Sequence, residues 1–185
     1  MRIIAGQAKG RRLKTPKVKG IRPALAKVKG AIFNILENSV GLEGASVLDL
    51  FAGTGNIGIE ALSRGASHAT FVDDSKQALS LIYENLKQTG FEGKGSVVSL
   101  KLPWGLKRWK GKKQYDLVFI DPPYDKRLVV STLGTVTREK ILAPLGRIIV
   151  EHSPREAVIV EPPLKIVDQR KYGQTFITFL AYVED

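Results

Sequence analysis

The stretch Val47-Leu-Asp-Leu-Phe-Ala-Gly-Thr-Gly-Asn-Ile-Gly58 constrains this chain more than any other. The apolar run Ser46 to Leu50 has the length and composition of a buried strand. It ends in a turn containing Gly53 and Gly55, and helical sequence follows from Asn56. Glycine lets the backbone bend sharply there and approach a bound molecule where a Cβ would collide. The helix that follows offers unpaired N–H groups and the positive end of its dipole. Strand, glycine turn and helix in this order make a small-molecule cradle at the carboxyl end of a strand in an α/β sheet.

Gly53, Gly55 and Gly58 also fit G-x-G-x-x-G, so a dinucleotide is one candidate ligand. Glycines alone do not decide, because an ordinary tight βα turn uses them too. Asp49 does more. A carboxylate at the mouth of the turn repels a pyrophosphate but suits a ligand that carries an ammonium and a sulfonium, as S-adenosylmethionine (SAM) does. An acid after the next strand, Asp73 or Asp74, could accept hydrogen bonds from a ribose diol in either cofactor. The expected cofactor segment is therefore Asp49, the turn residues Phe51, Ala52, Gly53, Thr54 and Gly55, and Asp73 with Asp74.

The net charge is +11, and ten basic residues with no acid lie in the first thirty positions. Basic termini are often solvated tails. Here Ile3, Ile4, Leu13 and Ile21 punctuate the run and Gly10 could turn a short hairpin, so an ordered basic arm aimed at a polyanion is the better reading. Its candidate RNA contacts are Lys9, Arg11, Arg12, Lys14, Lys17, Lys19 and Arg22. Cysteine is absent, which removes disulfides, thiolate metal sites and cysteine nucleophiles. His68 and His152 stand far apart without ligand spacing, so no metal is expected. With no signal-peptide pattern at Met1 and no long apolar run, the expectation is a cytoplasmic protein that meets no membrane. A chain of 185 residues reads as a single domain, with the arm over 1–22 and a core over 23–185, and as a monomer.

After the arm, Pro23 suits a helix start, and Leu25, Val28, Ile32, Ile35 and Leu36 recur at helical spacing in a helix expected to cover one edge of the sheet. Further strands are expected over Ala69 to Val72, Val97 to Leu100, Tyr115 to Ile120 and Gly146 to Glu151. Ser75 and Gly90 bracket a helix between the first two. Two last apolar runs, Val158 to Val167 and Thr175 to Val183, should pair to finish the sheet. Strand and helix alternate, which predicts a doubly wound, mostly parallel α/β domain. A second acid-free stretch from Lys94 to Lys113 interleaves Trp104 and Trp109 with basic residues. Leu102, Leu106 and Trp109 share a helical face, so Trp109 reads as core, while Trp104 could stand in core or on an RNA surface.

The strand Tyr115 to Ile120 delivers Asp121-Pro-Pro-Tyr124 to the sheet's carboxyl edge. Asp and Pro both favour turns, but ligands of such sheets bind in the crevice outside this edge, near the Gly53–Gly55 turn. A nucleobase amine is a poor nucleophile because its lone pair is delocalised. Asp121 can accept one N–H and a carbonyl of Pro122 or Pro123 the other, aiming the amine along an S–CH3 bond. Tyr124 can stack on an extruded base. Positioning and charge placement carry such a reaction without a metal.

These motifs resemble the amino-directed, SAM-dependent nucleic-acid methyltransferases. Met1-Arg-Ile-Ile-Ala-Gly, Gly10-Arg-Arg-Leu-Lys-Thr-Pro16, Ile21-Arg-Pro23, Ala31-Ile-Phe-Asn-Ile-Leu36, Gly58-Ile-Glu-Ala-Leu-Ser-Arg-Gly-Ala66, Glu151-His152 and Tyr172-Gly-Gln-Thr175 narrow the resemblance to the RsmD family of bacterial 16S rRNA guanine-N2 methyltransferases. The resemblance implies a Rossmann-like class I SAM-dependent methyltransferase fold with a C-terminal antiparallel strand. It also implies SAM at Asp49, Gly53, Gly55 and Asp73, and the acceptor base at Asp121 to Tyr124. The implied substrate is a guanine of 16S rRNA in the small ribosomal subunit or its assembly intermediate.

Two departures stand out. Ala24, Ala26, Lys29 and Gly30 replace a polar pattern usual in the family, which puts the contacts of that helix in question. Ser99-Leu-Lys-Leu102 lacks the acid or amide that many relatives place near the adenine. Three rivals follow: an adenine-N6 or cytosine-N4 methyltransferase, an rRNA-binding assembly factor without catalysis, and a nicotinamide oxidoreductase. Asp49 and the basic arm count against the last.

Overall fold

The computed structural model describes residues 1–16, 23–109, 113–123, 127–156 and 158–183. Among them, seven strands form one sheet in the order β3-β2-β1-β4-β5-β7-β6. They are β1 (Ser46–Leu50), β2 (His68–Asp73), β3 (Gly95–Ser99), β4 (Tyr115–Ile120), β5 (Leu142–His152), β6 (Leu164–Tyr172) and β7 (Thr175–Tyr182). Pairing is parallel from β3 through β5, and β7 runs antiparallel to both β5 and β6. The fold is therefore the expected doubly wound, mostly parallel sheet with an antiparallel strand near its C-terminus. Among the described residues, four helices cover it: α1 (Pro23–Ser39), α2 (Asn56–Ser63), α3 (Lys76–Thr89) and α4 (Leu128–Arg138).

Parallel strands buried on both faces need apolar residues on both sides, and β1 and β4 supply them. One face joins Val47, Phe71, Leu117, Phe119 and Ile149 to the helices α1, α2 and α3 and to Ile3, Ala8 and Leu13 of the arm. The other joins Leu48, Leu50, Val118, Ile120 and Val150 to Val129, Leu133 and Val136 of α4. The arm is accordingly ordered core through residue 16. Arg2 bridges Arg12, the Ile3 N–H donates to the Arg11 carbonyl at 3.0 Å, and Gly10 carries a φ of +82°.

Several expectations need correction. Helix α1 lies over the middle of the sheet, not its edge: Phe33 stands 5.7 Å from Phe119 of the central strand β4. Helical periodicity tells which side of a helix is apolar, not which strand it meets. Strand β3 begins and ends earlier than Val97 to Leu100, because its ladder to β2 starts at Ala69 and Gly95. Strand β5 starts at Leu142, where a register shift against β4 lets Tyr115 pair with Leu142. Strand β6 starts at Leu164, not Val158, since Pro162 and Pro163 have no N–H to give a ladder. Val158 and Val160 still pack on the core as partly buried side chains.

Local signals account for the remaining boundaries. The Ser75 hydroxyl accepts the Ala78 N–H at 3.3 Å to open α3, and Gly90 closes it in a left-handed conformation. Gly173 begins the two-residue loop between β6 and β7 with a φ of +62°, which explains Tyr172-Gly-Gln-Thr175 as a hairpin turn.

Candidate active site

The register aligns the carboxyl ends of four strands. Leu50 pairs with Val72 on one side and Ile120 on the other, and Ile120 pairs with Val150. Asp73, Phe51, Asp121 and Glu151 thus stand side by side, one residue beyond those positions. The turn is clamped from several directions. Phe51 holds a left-handed φ of +62°, a costly conformation for an aromatic residue and one found mainly at functional sites. The Gly53 N–H donates to Asp73 Oδ2 at 2.9 Å, and the Ser75 N–H to Asp73 Oδ1 at 2.9 Å. The Ala52 N–H donates to the Val72 carbonyl, and Asn85 Nδ2 donates to the Thr54 carbonyl at 2.9 Å. Gly55 precedes α2 with a φ of +74°, and the Gly58 N–H donates to Asp49 Oδ2 at 2.9 Å. Gly58 serves packing: a Cβ there would lie 2.3 Å from the Phe71 ring.

Two cavities open at this edge and share Phe51 and Asp121. The larger, about 440 Å³, is lined by Asp73, Asp74, Leu100, Leu102, Trp104 and Pro123 among others. The smaller, about 280 Å³, runs from Asp49, Gly53 and Thr54 past Asp121 and Glu151 to Lys29 and Met1. Trp104 is exposed at the mouth of the larger cavity, while Trp109 is half-buried against Tyr115, as its helical face predicted. Pro122 is buried. Tyr124 lies outside the described residues, as do Lys17, Lys19 and Arg22.

The electrostatics invert those of the whole molecule. A chain of net charge +11 surrounds its cavities with Asp49, Asp73, Asp74, Asp121 and Glu151. Asp49 is 3% exposed, and burial pushes its carboxyl up to about 7 against the relief from the Gly58 N–H, with the Asp73 charge adding to the rise. Asp121 is an exposed residue that lines both cavities. Desolvation, then the charge of Glu151, then that of Asp49, hold its carboxyl well above the ordinary carboxylate range. Carboxyls held this high are relieved by a cation or by strong hydrogen-bond donors. A dinucleotide pyrophosphate has neither to offer. A ligand with a sulfonium and an ammonium fits, and Asp73 and Asp74 flank the larger cavity where a ribose diol would find acceptors. Among the described residues no group of acids and histidines is arranged to hold a metal ion.

The helix carrying the departures at Ala24 to Gly30 acts through Lys29. Its Nζ is buried and lies 2.8 Å from Glu60 Oε2, 2.7 Å from Asn56 Oδ1 and 3.0 Å from the Arg2 carbonyl. Burial lowers the Lys29 pKa, and the Glu60 carboxylate opposes that shift. Glu60 is a hub: it also accepts the Ile4 and Ala5 N–H groups and Arg64 Nε at 2.9 Å. The arm is tied to α2 through these bonds, and Ser63 adds another by accepting the Ala8 N–H at 2.9 Å. Lys29, Glu60 and Glu151 were missed as site residues by sequence reasoning. Of the proposed RNA contacts, Lys9, Arg11, Arg12 and Lys14 are exposed. Lys14 pairs with Glu84 at 2.7 Å, and Arg11 donates to the Gln88 carbonyl at 2.7 Å. Lys9 and Arg12 have the freer side chains.

A Rossmann-like sheet with a glycine turn, an acid at the end of β2 and Asp-Pro-Pro after β4 has the class I methyltransferase fold. The solved Escherichia coli protein yhhF superposes with a TM-score of 0.85 at 27% identity, covering 100% of this chain and 99% of that one. The family described as conserved hypothetical protein 95 matches residues 1–181. The chain belongs to this family, the RsmD family of methyltransferases. The Bacillus subtilis protein YlbH is 36% identical over 181 residues, covering 95% of each chain. The Escherichia coli (strain K12) ribosomal RNA small subunit methyltransferase D is 35% identical over 151 residues, covering 82% of this chain and 74% of its own length.

Proposed function

We propose that this protein transfers a methyl group from SAM to the exocyclic N2 amine of a guanosine in small-subunit rRNA, acting as a monomer on the ribosomal particle or its assembly intermediate. The observation that carries the reading is the acidic pair of cavities inside a strongly basic chain. A cation belongs within, and a polyanion belongs outside. Bound SAM supplies a methyl group on a positively charged sulfur. Asp49 balances charge at the glycine turn, while Asp73 and Asp74 hold the ribose hydroxyls at the larger cavity. Asp121 accepts one N–H of the target amine and the Pro122 carbonyl accepts the other, so that the nitrogen lone pair points at the methyl. Tyr124, which follows the proline pair in sequence, stacks on the base. The Escherichia coli relative is named a ribosomal RNA small subunit methyltransferase, and a base presented unstacked by a folded particle costs little to extrude. Lys9, Arg12 and the exposed Lys107 and Arg108 supply phosphate contacts on the outer surface, while Lys101 stands in the wall of the larger cavity.

The test uses labelled SAM and small subunits lacking modification, with the rRNA then digested to nucleosides. Label in N2-methylguanosine at one site supports the reading. Label in N6-methyladenosine or N4-methylcytidine overturns the acceptor, and no label with a folded protein overturns the enzyme.

A further inference from the structure

Asp121 and a neighbouring carbonyl serve any exocyclic amine, so something else must choose among guanine, adenine and cytosine. The three bases differ at the ring nitrogen beside the amine. Guanine carries a proton there, on N1, so its edge presents two adjacent donors. Adenine N1 and cytosine N3 carry lone pairs, so their edges present a donor beside an acceptor. A second anionic acceptor next to Asp121 would therefore welcome guanine and repel the others.

Glu151 is placed for this. It follows Val150, which pairs with Ile120, so Glu151 and Asp121 stand next to each other at the ends of β5 and β4. Strand alternation also puts both side chains on the same face. Ile149 and Phe119, two residues upstream of each, both pack on the α1 side. Both residues line the 280 Å³ cavity that begins at Asp49 and the glycine turn. The proximity of the two carboxyls is felt electrostatically, since the Glu151 charge helps raise the Asp121 pKa.

Resting on the function proposed above, we infer that Glu151 selects guanine by accepting its N1–H while Asp121 accepts the N2 amine. A carboxylate has about four acceptor sites and can take this bond beside others. Two carboxyls side by side resist ionising together, and two adjacent donors on one base edge relieve that conflict. Adenine or cytosine would aim a lone pair at the Glu151 carboxylate, which repels it.

The experiment compares small subunits reconstituted with guanosine or with 2-aminopurine at the site where the protein methylates. 2-Aminopurine keeps the 2-amine but has a lone pair at N1. Wild type should methylate guanosine faster by on the order of 10² or more in kcat/KM, the scale by which a site built to hydrogen-bond rejects an analogue lacking the group. In Glu151→Gln the side-chain amide can turn its NH2 toward a ring lone pair, so the preference should narrow at least tenfold. The fluorescence of 2-aminopurine gives a second readout, rising more when the Gln variant binds because its amide admits the base to the cavity. Equal rates on both bases in wild type would overturn the role without recourse to any variant. Full discrimination in a folded Glu151→Gln protein would overturn it too. Failure of wild type to form N2-methylguanosine on unsubstituted subunits would instead bring down the functional reading itself, and this inference with it.

Discussion

Replacing Asp49 by Asn should separate what the site needs from what the fold prefers. The buried carboxyl is raised from 3.8 to about 7. A raised carboxyl means that the folded chain binds this proton more tightly than the unfolded chain does. Stability therefore falls as pH rises from about 4 to about 7 and is flat on either side, the opposite of a salt-bridged acid. The full penalty for ionised Asp49 is about 4 kcal/mol, taking about 1.4 kcal/mol per tenfold change in proton binding. About half of it is already present near pH 5.5. Asn keeps the shape and can still accept the Gly58 N–H, but it cannot ionise. Measured by urea denaturation without ligand, Asp49→Asn should gain about 2 kcal/mol on wild type between about pH 5.5 and pH 8.5. The variant should also bind SAM more weakly while binding the uncharged-sulfur product S-adenosylhomocysteine with less loss. A stability difference that stays constant with pH would refute the raised pKa, and equal losses for both ligands would refute the charge-balancing role.

Asp121→Ala should lower turnover by on the order of 10² or more with little change in SAM affinity, as single-turnover kinetics and calorimetry would show; near-normal methylation would remove Asp121 from the chemistry. Glu60→Ala leaves the charges of Lys29 and Arg64 buried and should cost about 3–5 kcal/mol, with the arm becoming open to trypsin at Arg11 and Arg12. A protease-resistant arm in that variant would show that apolar packing alone holds it. Lys9→Gln combined with Arg12→Gln should reduce the log–log salt slope of RNA binding by about 1.4, at about 0.7 per phosphate on single-stranded RNA. An unchanged slope would mean these two charges face away from the RNA.

Deleting the arm cannot serve that last purpose, because Ile3, Ala8 and Leu13 are core and Met1 lines the smaller cavity. The sequence allowed an ordered arm but not this degree of integration. Apolar punctuation showed that the arm packs somewhere. Its anchor, Glu60, is fifty-five or more residues away along the chain, inside a helix where an acid reads as ordinary surface. Lys29 was legible only as a departure from a familiar pattern, yet it fills a paired and buried position. The glycine turn, Asp49 and Asp121 were legible because a local backbone requirement and a functional group occur together within a few residues. Asp73 was legible as an acid after β2, though not as the group that holds both the glycine turn and the start of α3.

Glu151 shows most clearly where sequence reading stops. By its local sequence it is one acid at the end of an apolar run, and the resemblance marked Glu151-His152 without giving Glu151 a role. Only the register of β4 against β5 sets it beside Asp121, and register depends on the whole sheet. The same row explains why these acids tolerate each other. Asp73 has two backbone N–H donors, and Asp49 has one from α2, so both carry compensation within the fold. Asp121 faces both cavities, where compensation comes from what binds. An unliganded site of this kind is electrostatically strained in favour of cations and donor-rich base edges, which makes affinity for the right ligands and instability without them two consequences of one arrangement.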